Sequence, residues 1–422
     1  MASQFSKEER VAFESLLEGF DDALVLSRNV ATFNTQSVEM ERAGDTLWRP
    51  QPYIAQSFDG TDQSANFKEY TQLSVPARIG YSKSVPWTMT PKELRDALQE
   101  DRLGSAAKQK LSSDINLSVM RVAAAQGTLV VKRTAAATGF DDVALAEAIM
   151  NEQGVQGFDR YLALSTRDYN GMASNLAARQ MMVGKPTTAY EKAFVGTIAS
   201  FDTFKLDYAL RQAAAAGGAG ITINTLDAGN NYYIPKATST GTAGEVGNVD
   251  NRFQTVTVSS TTNVAAGDAF TVAALNAVHH ITKGDTGQLK TFRVISVDSS
   301  TTMTICPPII TNQVANDSAA VYQNCVINTK ASNSAIVFLN TVAAPINPFW
   351  HKDAIEILPG RYAVPSDSGV AVMRASTDQG IELVMQKFQD IDTMKTKYRI
   401  DTLWGVCNKQ PEMTGIVLFN QT

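Results

Sequence analysis

The sequence TPKELRDALQEDRLGSAAKQKLSSDINLSVMRVAAAQG, from Thr90 to Gly127, is the longest uninterrupted helix signal in the chain. Thr90 is a suitable N-cap and Pro91 a suitable first helical residue, because the cap oxygen accepts an orphan N–H and proline has none to leave unpaired. Six apolar residues recur every three or four positions and so share one helix face: Leu103, Ala107, Leu111, Ile115, Val119 and Val122. Gly104 weakens the middle by about 1 kcal/mol relative to alanine, so the pattern predicts a short helix, Pro91 to Arg102, that bends into a longer one ending at Gly127.

Length and charge limit what the chain can be. At 422 residues it exceeds what one hydrophobic core usually supports, which predicts two or more substructures. A net charge of −5 without a cluster of Lys and Arg argues against a nucleic-acid-binding surface. Cys306, Cys325 and Cys407 are too few and too scattered for a disulfide framework or a CxxC metal site. With no signal-peptide pattern and no apolar run of about 18 residues, we expect a soluble protein of a reducing cytoplasm.

Two segments precede the long helix. Lys7 to Asn29 is predicted to be an amphipathic helix, because apolar residues recur at helical spacing with acidic residues between them. Thr46 to Trp87 has no helical period, but its turn residues and strand-forming residues predict a long, polar, two-stranded loop. An isolated hairpin is only marginally stable in water, so we expect this loop to lie on another subunit.

Mixed helix and strand signals follow the long helix. The predicted elements are a strand at Leu129–Lys132, a helix from Asp141 to a stop at Gly154, a strand at Tyr161–Leu164 and a helix from Ser165 through Arg179. Ser165 and Asp168 have the spacing of a capping box at the start of that second helix.

The composition changes between Gly220 and about Asn340, where Thr, Ser, Asn, Gly and Val dominate and helical periods vanish. The predicted strands of this all-β unit are Phe253–Val258, Ala269–Val272, Thr291–Val297 and Met303–Ile305. Strands are predicted after it at Ala354–Leu358, Val370–Met373, Lys397–Ile400, Thr402–Val406 and Gly415–Phe419. Because mixed α and β patterns precede the unit and a β-rich part follows, we interpret it as an insertion into a host domain, joined at Ala213–Gly220 and Thr329–Ser334.

No combination of residues predicts an active site. The glycine-rich run Gly217–Gly220 lacks the Lys-Ser/Thr of a P-loop and fits a linker. His279 and His280 are adjacent, so in a strand they point to opposite faces and do not share a metal. His351 could act as a general base beside Asp353, yet the chain has no Gly-x-Ser-x-Gly nucleophile motif to activate. We therefore predict no catalytic, cofactor-binding or metal-binding residues.

Six short strings occur in a characteristic order along the chain. They are DTLW at Asp45–Trp48, ELRD at Glu93–Asp96, ASFD at Ala199–Asp202, NVDNRF at Asn248–Phe253, NPFW at Asn347–Trp350 and LWGV at Leu403–Val406. In this order they resemble the major coat proteins of short-tailed, Lederbergvirus-type bacteriophages over nearly the whole chain. The string NVDNRF, followed by Thr255–Thr257 and Gly267–Asp268, resembles the domain that is inserted in those proteins.

The resemblance implies an α+β fold of the Hong Kong 97 capsid type with an inserted all-β barrel. The implied parts are an N-terminal arm (1–40), an extended loop (41–88), the spine helix and peripheral domain (89–137), the first part of the axial domain (138–220), the inserted barrel (221–340) and axial and peripheral strands (341–422). One loop of the inserted domain touches the neighbouring capsomer in that family, through charged residues. The matching loop here is about Tyr233 to Asn251, and its candidate contact residues are Glu245, Asp250 and Arg252; a purely polar contact through Thr and Ser would also serve.

The implied function is that of a major capsid protein without catalytic activity. It would form pentamers and hexamers, assemble with a scaffolding protein into an icosahedral procapsid in the bacterial host cytoplasm, and expand when DNA is packaged. The implied partners are further copies of the chain, the scaffolding protein, the portal protein and, by non-specific contact only, double-stranded DNA, with no cofactor and no membrane.

The composition agrees with a shell protein, because a mildly acidic chain without a basic face does not grip the DNA it encloses. One alternative is a receptor- or glycan-binding module carried by the insertion, in which Tyr232 and Tyr233 stack on a sugar. An enzyme built on His351 and Asp353 is a third possibility.

Overall fold

The computed structural model describes residues 9–11, 13, 14, 17, 20, 24–33, 46–64, 66–93, 97–178, 196–206, 208–217, 220–224, 232–311, 316–327, 333–364 and 369–422. Its helices are α1 (Ala97–Gln126), α2 (Phe140–Glu152), α3 (Thr166–Ala178) and α4 (Asp317–Val321). Short 3-10 helices lie at Ser27–Asn29, Lys352–Ala354 and Pro411–Met413.

Strands outnumber helices in the described chain as a whole. Before the insertion they are β1 (Ala31–Thr32), β2 (Thr46–Pro50), β3 (Ser74–Arg78), β4 (Tyr81–Met89), β5 (Leu129–Lys132), β6 (Arg160–Ser165), β7 (Thr197–Ile198), β8 (Phe201–Leu206) and β9 (Arg211–Gln212). Within it they are β10 (Thr222–Asn224), β11 (Thr238–Thr240), β12 (Val246–Asn248), β13 (Gln254–Thr257), β14 (Ala269–Val278), β15 (Asp285–Val297), β16 (Thr302–Cys306), β17 (Cys325–Ile327) and β18 (Asn333–Phe338). After it they are β19 (Ala344–Pro345), β20 (Asn347–His351), β21 (Ile355–Pro359), β22 (Ala371–Ser376), β23 (Glu382–Gln389), β24 (Thr396–Asn408) and β25 (Thr414–Leu418). The predicted α+β class is confirmed.

The long helix differs from its prediction in one respect. The Thr90 N–H donates to Glu93 Oε2 (2.8 Å) and the Glu93 N–H to Thr90 Oγ1 (3.4 Å), a capping box at the predicted start. The predicted bend into two helices is wrong, because α1 runs unbroken through Gly104. Four of the six stripe residues are buried, Ala107, Leu111, Ile115 and Val119, and we infer that their packing offsets the glycine's cost of about 1 kcal/mol. Residues 94–96 lie outside the described part.

The chain divides into two compact units. The first comprises Met1–Leu47, Pro76–Met120 and Ile355–Cys407. Its sheet has the order β1-β21-β24-β23-β22, with β4 also paired to β24. Trp404, fully buried in β24, donates from its indole N–H to Ser118 Oγ of α1 (2.8 Å). The strands predicted at Lys397–Ile400 and Thr402–Val406 are one continuous strand, β24, and β23 was not predicted.

The second unit comprises Trp48–Val75, Arg121–Ala354 and Asn408–Thr422. Its main sheet has the order β5-β25-β20-β6-β8-β7, so strands from before and after residues 220–340 lie in one sheet. Helices α2 and α3 contribute Met150 and Met172 to a cluster that also contains Phe201 and Phe349, whose rings meet edge to face. The inserted segment therefore interrupts a single host sheet.

The inserted segment itself forms a barrel. Its strands follow the order β10-β18-β14-β15-β16-β13, and a bridge between Ile223 and Val258 closes the ring. Phe270 and Phe292 stack in the interior with ring centroids 5.6 Å apart. The two ends of the insertion lie side by side, because the Ala215 N–H donates to the Asn340 carbonyl oxygen (2.7 Å) and β9 pairs with β19.

Candidate contact site on the inserted barrel

A two-stranded hairpin, residues 238–248, leaves the barrel with every residue exposed. Strands β11 and β12 pair with each other alone. The Gly241 N–H donates to the Glu245 carbonyl oxygen (2.7 Å), and Gly244 has φ +84°, a conformation that glycine adopts without strain. Glu245 therefore stands at an exposed turn, and Thr and Ser side chains flank it on β11. Such a ribbon offers charge and hydrogen-bonding groups to another molecule.

Asp250 and Arg252 lie at the base of this hairpin and bind each other. Arg252 is 8% exposed; its Nη2 and Nε lie 2.6 Å and 2.9 Å from the two carboxylate oxygens of Asp250. Its Nη1 donates to the carbonyl oxygen of Asn408 (2.8 Å), and its guanidinium lies 5.0 Å from the centre of the Phe253 ring. Paired in this bidentate way, the two charges fix the chain where it leaves the hairpin.

Three side chains of β15 fasten the barrel to the host sheet and to the end of α1, and sequence reasoning missed all three. Lys290 is 1% exposed, and its ammonium donates to Glu412 Oε1 (2.6 Å) and Gln153 Oε1 (3.1 Å). The Thr291 hydroxyl donates to the Thr128 carbonyl oxygen (2.5 Å). Arg293, also 1% exposed, donates to the Ala124 carbonyl oxygen (2.9 Å) in the last turn of α1, where a cation is favoured by the helix dipole. We call these three residues the β15 anchors.

Glu412 is the centre of the charged part of this junction. Burial alone would raise its pKa, but Lys290, His280 and hydrogen bonds from Lys290 and Asn324 outweigh that effect and lower the pKa to about 2. His280 Nε2 lies 3.3 Å from Glu412 Oε2, yet burial lowers the pKa of His280 to about 4 and keeps the ring neutral near pH 7. Burial also lowers the pKa of Arg293 to about 10, well above neutral pH, so that anchor stays charged. The Glu412 carboxylate thus lies between the Lys290 ammonium on one oxygen and the neutral His280 ring on the other.

The histidines considered as metal ligands or as a general base make structural contacts. The His279 ring accepts the Thr282 N–H through Nδ1 (3.2 Å) and packs over Gly154, where a Cβ atom would lie 2.9 Å from the ring. His351 is buried in β20, and its Nδ1 accepts the Asp353 N–H (3.3 Å). Within the described ranges, no group of three or more His, Cys, Asp or Glu side chains is arranged to hold a metal ion, and no helix is long and apolar enough to cross a membrane.

The tyrosines of the glycan-binding alternative pack inward. Tyr232 packs against the barrel core, and Tyr233 lies against a second cluster that contains Ile310 and Tyr322. The Tyr233 hydroxyl donates to Asn251 Oδ1 (3.0 Å), and burial raises its pKa to about 12. Both tyrosines are half-buried, and this packing reduces the ring area that could stack on a sugar. Asn230 and Asn231, which neighbour them, lie outside the described residues, as do Gly218 and Ala219 of the glycine-rich run.

Comparison with known proteins gives a family match over nearly the full length of the chain. The family model described as P22 coat protein, gene protein 5, matches residues 1–420. Among solved structures, the chain is similar to the capsid of cyanophage P-SCSP1u at 10% identity and TM-score 0.43, covering 92% of this chain and 85% of that one. It is similar to the capsid of Helicobacter pylori bacteriophage KHP30 at 10% identity and TM-score 0.41, covering 93% and 88%. The CUS-3 coat protein I-domain is 34% identical over 30% of this chain and 99% of its own, with TM-score 0.22.

Proposed function

The chain belongs to the P22 coat protein family and is a phage coat protein that forms the capsid shell, and on that premise we propose that it assembles with a scaffolding protein into a procapsid that expands as DNA is packaged. Family membership also confirms the α+β fold class of Hong Kong 97 type. The observation that carries the proposal is the family match over residues 1–420.

The finer assignments rest on the same membership. We propose a virion of the short-tailed, Lederbergvirus type, assembly in the host cytoplasm into pentamers and hexamers, and contacts with a portal protein. The domain boundaries implied by the resemblance belong to this proposal. The family is a structural one, and we propose that this chain has no catalytic activity of its own.

The proposed contact between capsomers is made by the hairpin 238–248. Glu245 supplies its charge and the Thr and Ser side chains of β11 supply polar contacts, while the Asp250–Arg252 pair holds the hairpin at its base. An exposed carboxylate contributes only about 0–1 kcal/mol to such a contact. In a shell the same contact recurs between many subunits, so we expect a small effect for each subunit to become a measurable loss of shell stability.

Electron microscopy of the chain expressed with and without a candidate scaffolding protein tests the proposal. Closed, uniform shells that form only with the scaffold are expected. Monomers or small oligomers under both conditions would contradict it. Two deletions refine the result: without residues 220–340 we expect aggregates, and without residues 1–29 we expect faulty assembly of a subunit that still unfolds cooperatively.

The hairpin has a direct test. Replacing Glu245 by lysine should lower the temperature at which shells dissociate, and the matched control Asp378→Lys, which alters an exposed carboxylate outside the barrel, should not. Equal effects of the two substitutions would mean that the hairpin makes no special contact.

A further inference from the structure

The extended loop is held on the inserted barrel of its own chain. Lys68 Nζ lies 2.6 Å from Asp317 Oδ1, and the hydroxyl oxygens of Thr71 and Ser318 lie 2.9 Å apart. The Tyr322 hydroxyl donates to the Thr71 carbonyl oxygen (2.8 Å). Asp317 and Ser318 belong to α4, and Tyr322 follows it, so the insertion contributes one partner to each of these contacts.

Apolar packing supports these polar contacts. Leu73 of the loop is buried in a cluster with Ile310, Ala319 and Tyr322, against which Ile54 of the loop also packs. Burying side chains of this kind stabilises by about 1.5–3 kcal/mol for each that is fully removed from water. The part of the loop next to β3 is therefore attached to the barrel more firmly than its surface ion pair alone would achieve.

The α4 end of this contact is rigid. Asn316 caps the helix, since its side-chain oxygen accepts the N–H groups of Ser318 (3.0 Å) and Ala319 (3.4 Å). The Tyr322 N–H in turn donates to the Ser318 carbonyl oxygen (3.0 Å). A capped turn keeps Asp317 and Ser318 in fixed positions for the loop.

The same contacts leave the aromatic side chains of the loop facing solvent. Phe67 is 85% exposed and Tyr70 is 52% exposed, although Lys68 and Thr71, each next to one of them, are bound to α4. Phe58 is 46% exposed on the same loop. Aromatic residues are enriched among the anchors of protein interfaces, because they bury a large area and lose little conformational entropy.

We propose that α4 and Tyr322 form a bracket that holds the loop so that Phe67 and Tyr70 are presented to a second copy of the chain. This inference rests on the proposed function, because the second copy is a neighbour in the shell. A loop that is already ordered loses less entropy when it binds, so the bracket favours association without touching the neighbour itself. The inserted barrel then has two roles, one at its hairpin and one at α4.

A disulfide lock tests the bracket directly. We would replace Thr71 and Ser318 by cysteine in the full chain, whose three native cysteines are buried. The bracket predicts that the oxidised double variant assembles at least as fast as the wild type and the single variants. An oxidised variant that fails to assemble and recovers on reduction would overturn the proposal, because the loop would then have to leave α4.

Proteolysis of the unassembled subunit supplies a readout that does not depend on shells. Tyr322→Phe removes one hydroxyl, and loss of its hydrogen bond should speed tryptic cleavage after Lys68 by about fivefold. The control is Tyr208→Phe at a 66% exposed tyrosine, which should leave the rate unchanged. Equal cleavage of both variants would overturn the bracket even if shells form, whereas a wild type that forms no shells would instead contradict the proposed function.

Discussion

Replacing Lys290 by methionine tests how the barrel is fastened to its host. Methionine keeps much of the side-chain volume but removes the ammonium that donates to Glu412 (2.6 Å) and to Gln153 (3.1 Å). A hydrogen bond to a charged group contributes about 1.5–3 kcal/mol, and one to a neutral amide about 1 kcal/mol. Asn324 still donates to Glu412 (3.0 Å) in the variant and so limits the loss of stability. We therefore expect Lys290→Met to lower the free energy of unfolding by about 3 kcal/mol at pH 7.

The loss should depend on pH. The folded chain lowers the pKa of Glu412 from 4.5 to about 2, so this carboxylate stabilises the fold above pH 4.5, and its contribution disappears as the pH falls towards 2. Lys290 also lowers the pKa of His280, so its removal makes protonation of that ring less costly in acid. Both effects predict that the difference between wild type and variant is largest at pH 7 and shrinks below pH 4.5.

Urea unfolding of the unassembled subunit at pH 7 and pH 3 measures this difference. The matched control is Lys205→Met, at an exposed lysine in β8, which should change stability by no more than about 0.5 kcal/mol. An effect of Lys290→Met no larger than that of the control at pH 7, or a loss of stability that is the same at both pH values, would refute this prediction.

Three further substitutions probe other features of the fold. His280→Gln should reduce the loss of stability between pH 6.5 and 4. Burial lowers the pKa of this histidine to about 4, so the wild type must protonate a buried ring in acid. Urea midpoints of both proteins across that range measure the difference, and midpoints that change with pH in the same way would contradict it. In Gly415→Ala the added methyl group would overlap the Phe349 ring, so we expect the free energy of unfolding in urea to fall by about 1–3 kcal/mol. The control Gly247→Ala places its methyl group in open space on the hairpin and should be neutral. Equal urea midpoints of the two variants would contradict the packing. The amide of Asn340 is fully buried and spans both ends of the insertion. Asn340→Ala should therefore lower the free energy of unfolding by about 2 kcal/mol and speed proteolysis at the joint. An unchanged proteolytic pattern would refute that role.

Local chemistry was predictable from the sequence. The Ser165 hydroxyl donates to Asp168 Oδ2 (2.7 Å) and accepts the Asp168 N–H (3.2 Å). This is half of the capping box that their spacing predicted, because the Ser165 N–H donates to Asn347 Oδ1 (2.6 Å) instead. Strand β5 occupies the predicted residues, and α2 ends two residues before Gly154, whose φ is +83°. Such features depend on neighbours within a few residues, and the sequence contains all of that information.

Tertiary partners were not predictable in this way. Lys290 and Glu412 are 122 residues apart, and nothing near either residue signals the other. The residues around a lysine in a strand do not indicate its buried partner, because only the fold brings the two side chains together. His351 shows the same limit, since a residue that suggested a general base is a buried member of the β20 strand. The Asp250–Arg252 pair is the exception, because only Asn251 separates its members and the local sequence contains both.

The adjacency of Ala215 and Asn340 has an evolutionary consequence. Because the two ends of the barrel segment lie side by side, recombination can exchange the barrel as a unit for any folded segment whose own ends meet. An incoming segment would restore the connection at the joint but not the β15 anchors, and Glu412 would be left in the host without Lys290. Phages that exchange the barrel should therefore also change the residue at position 412. The residue at that position would then indicate which barrel the host domain contains.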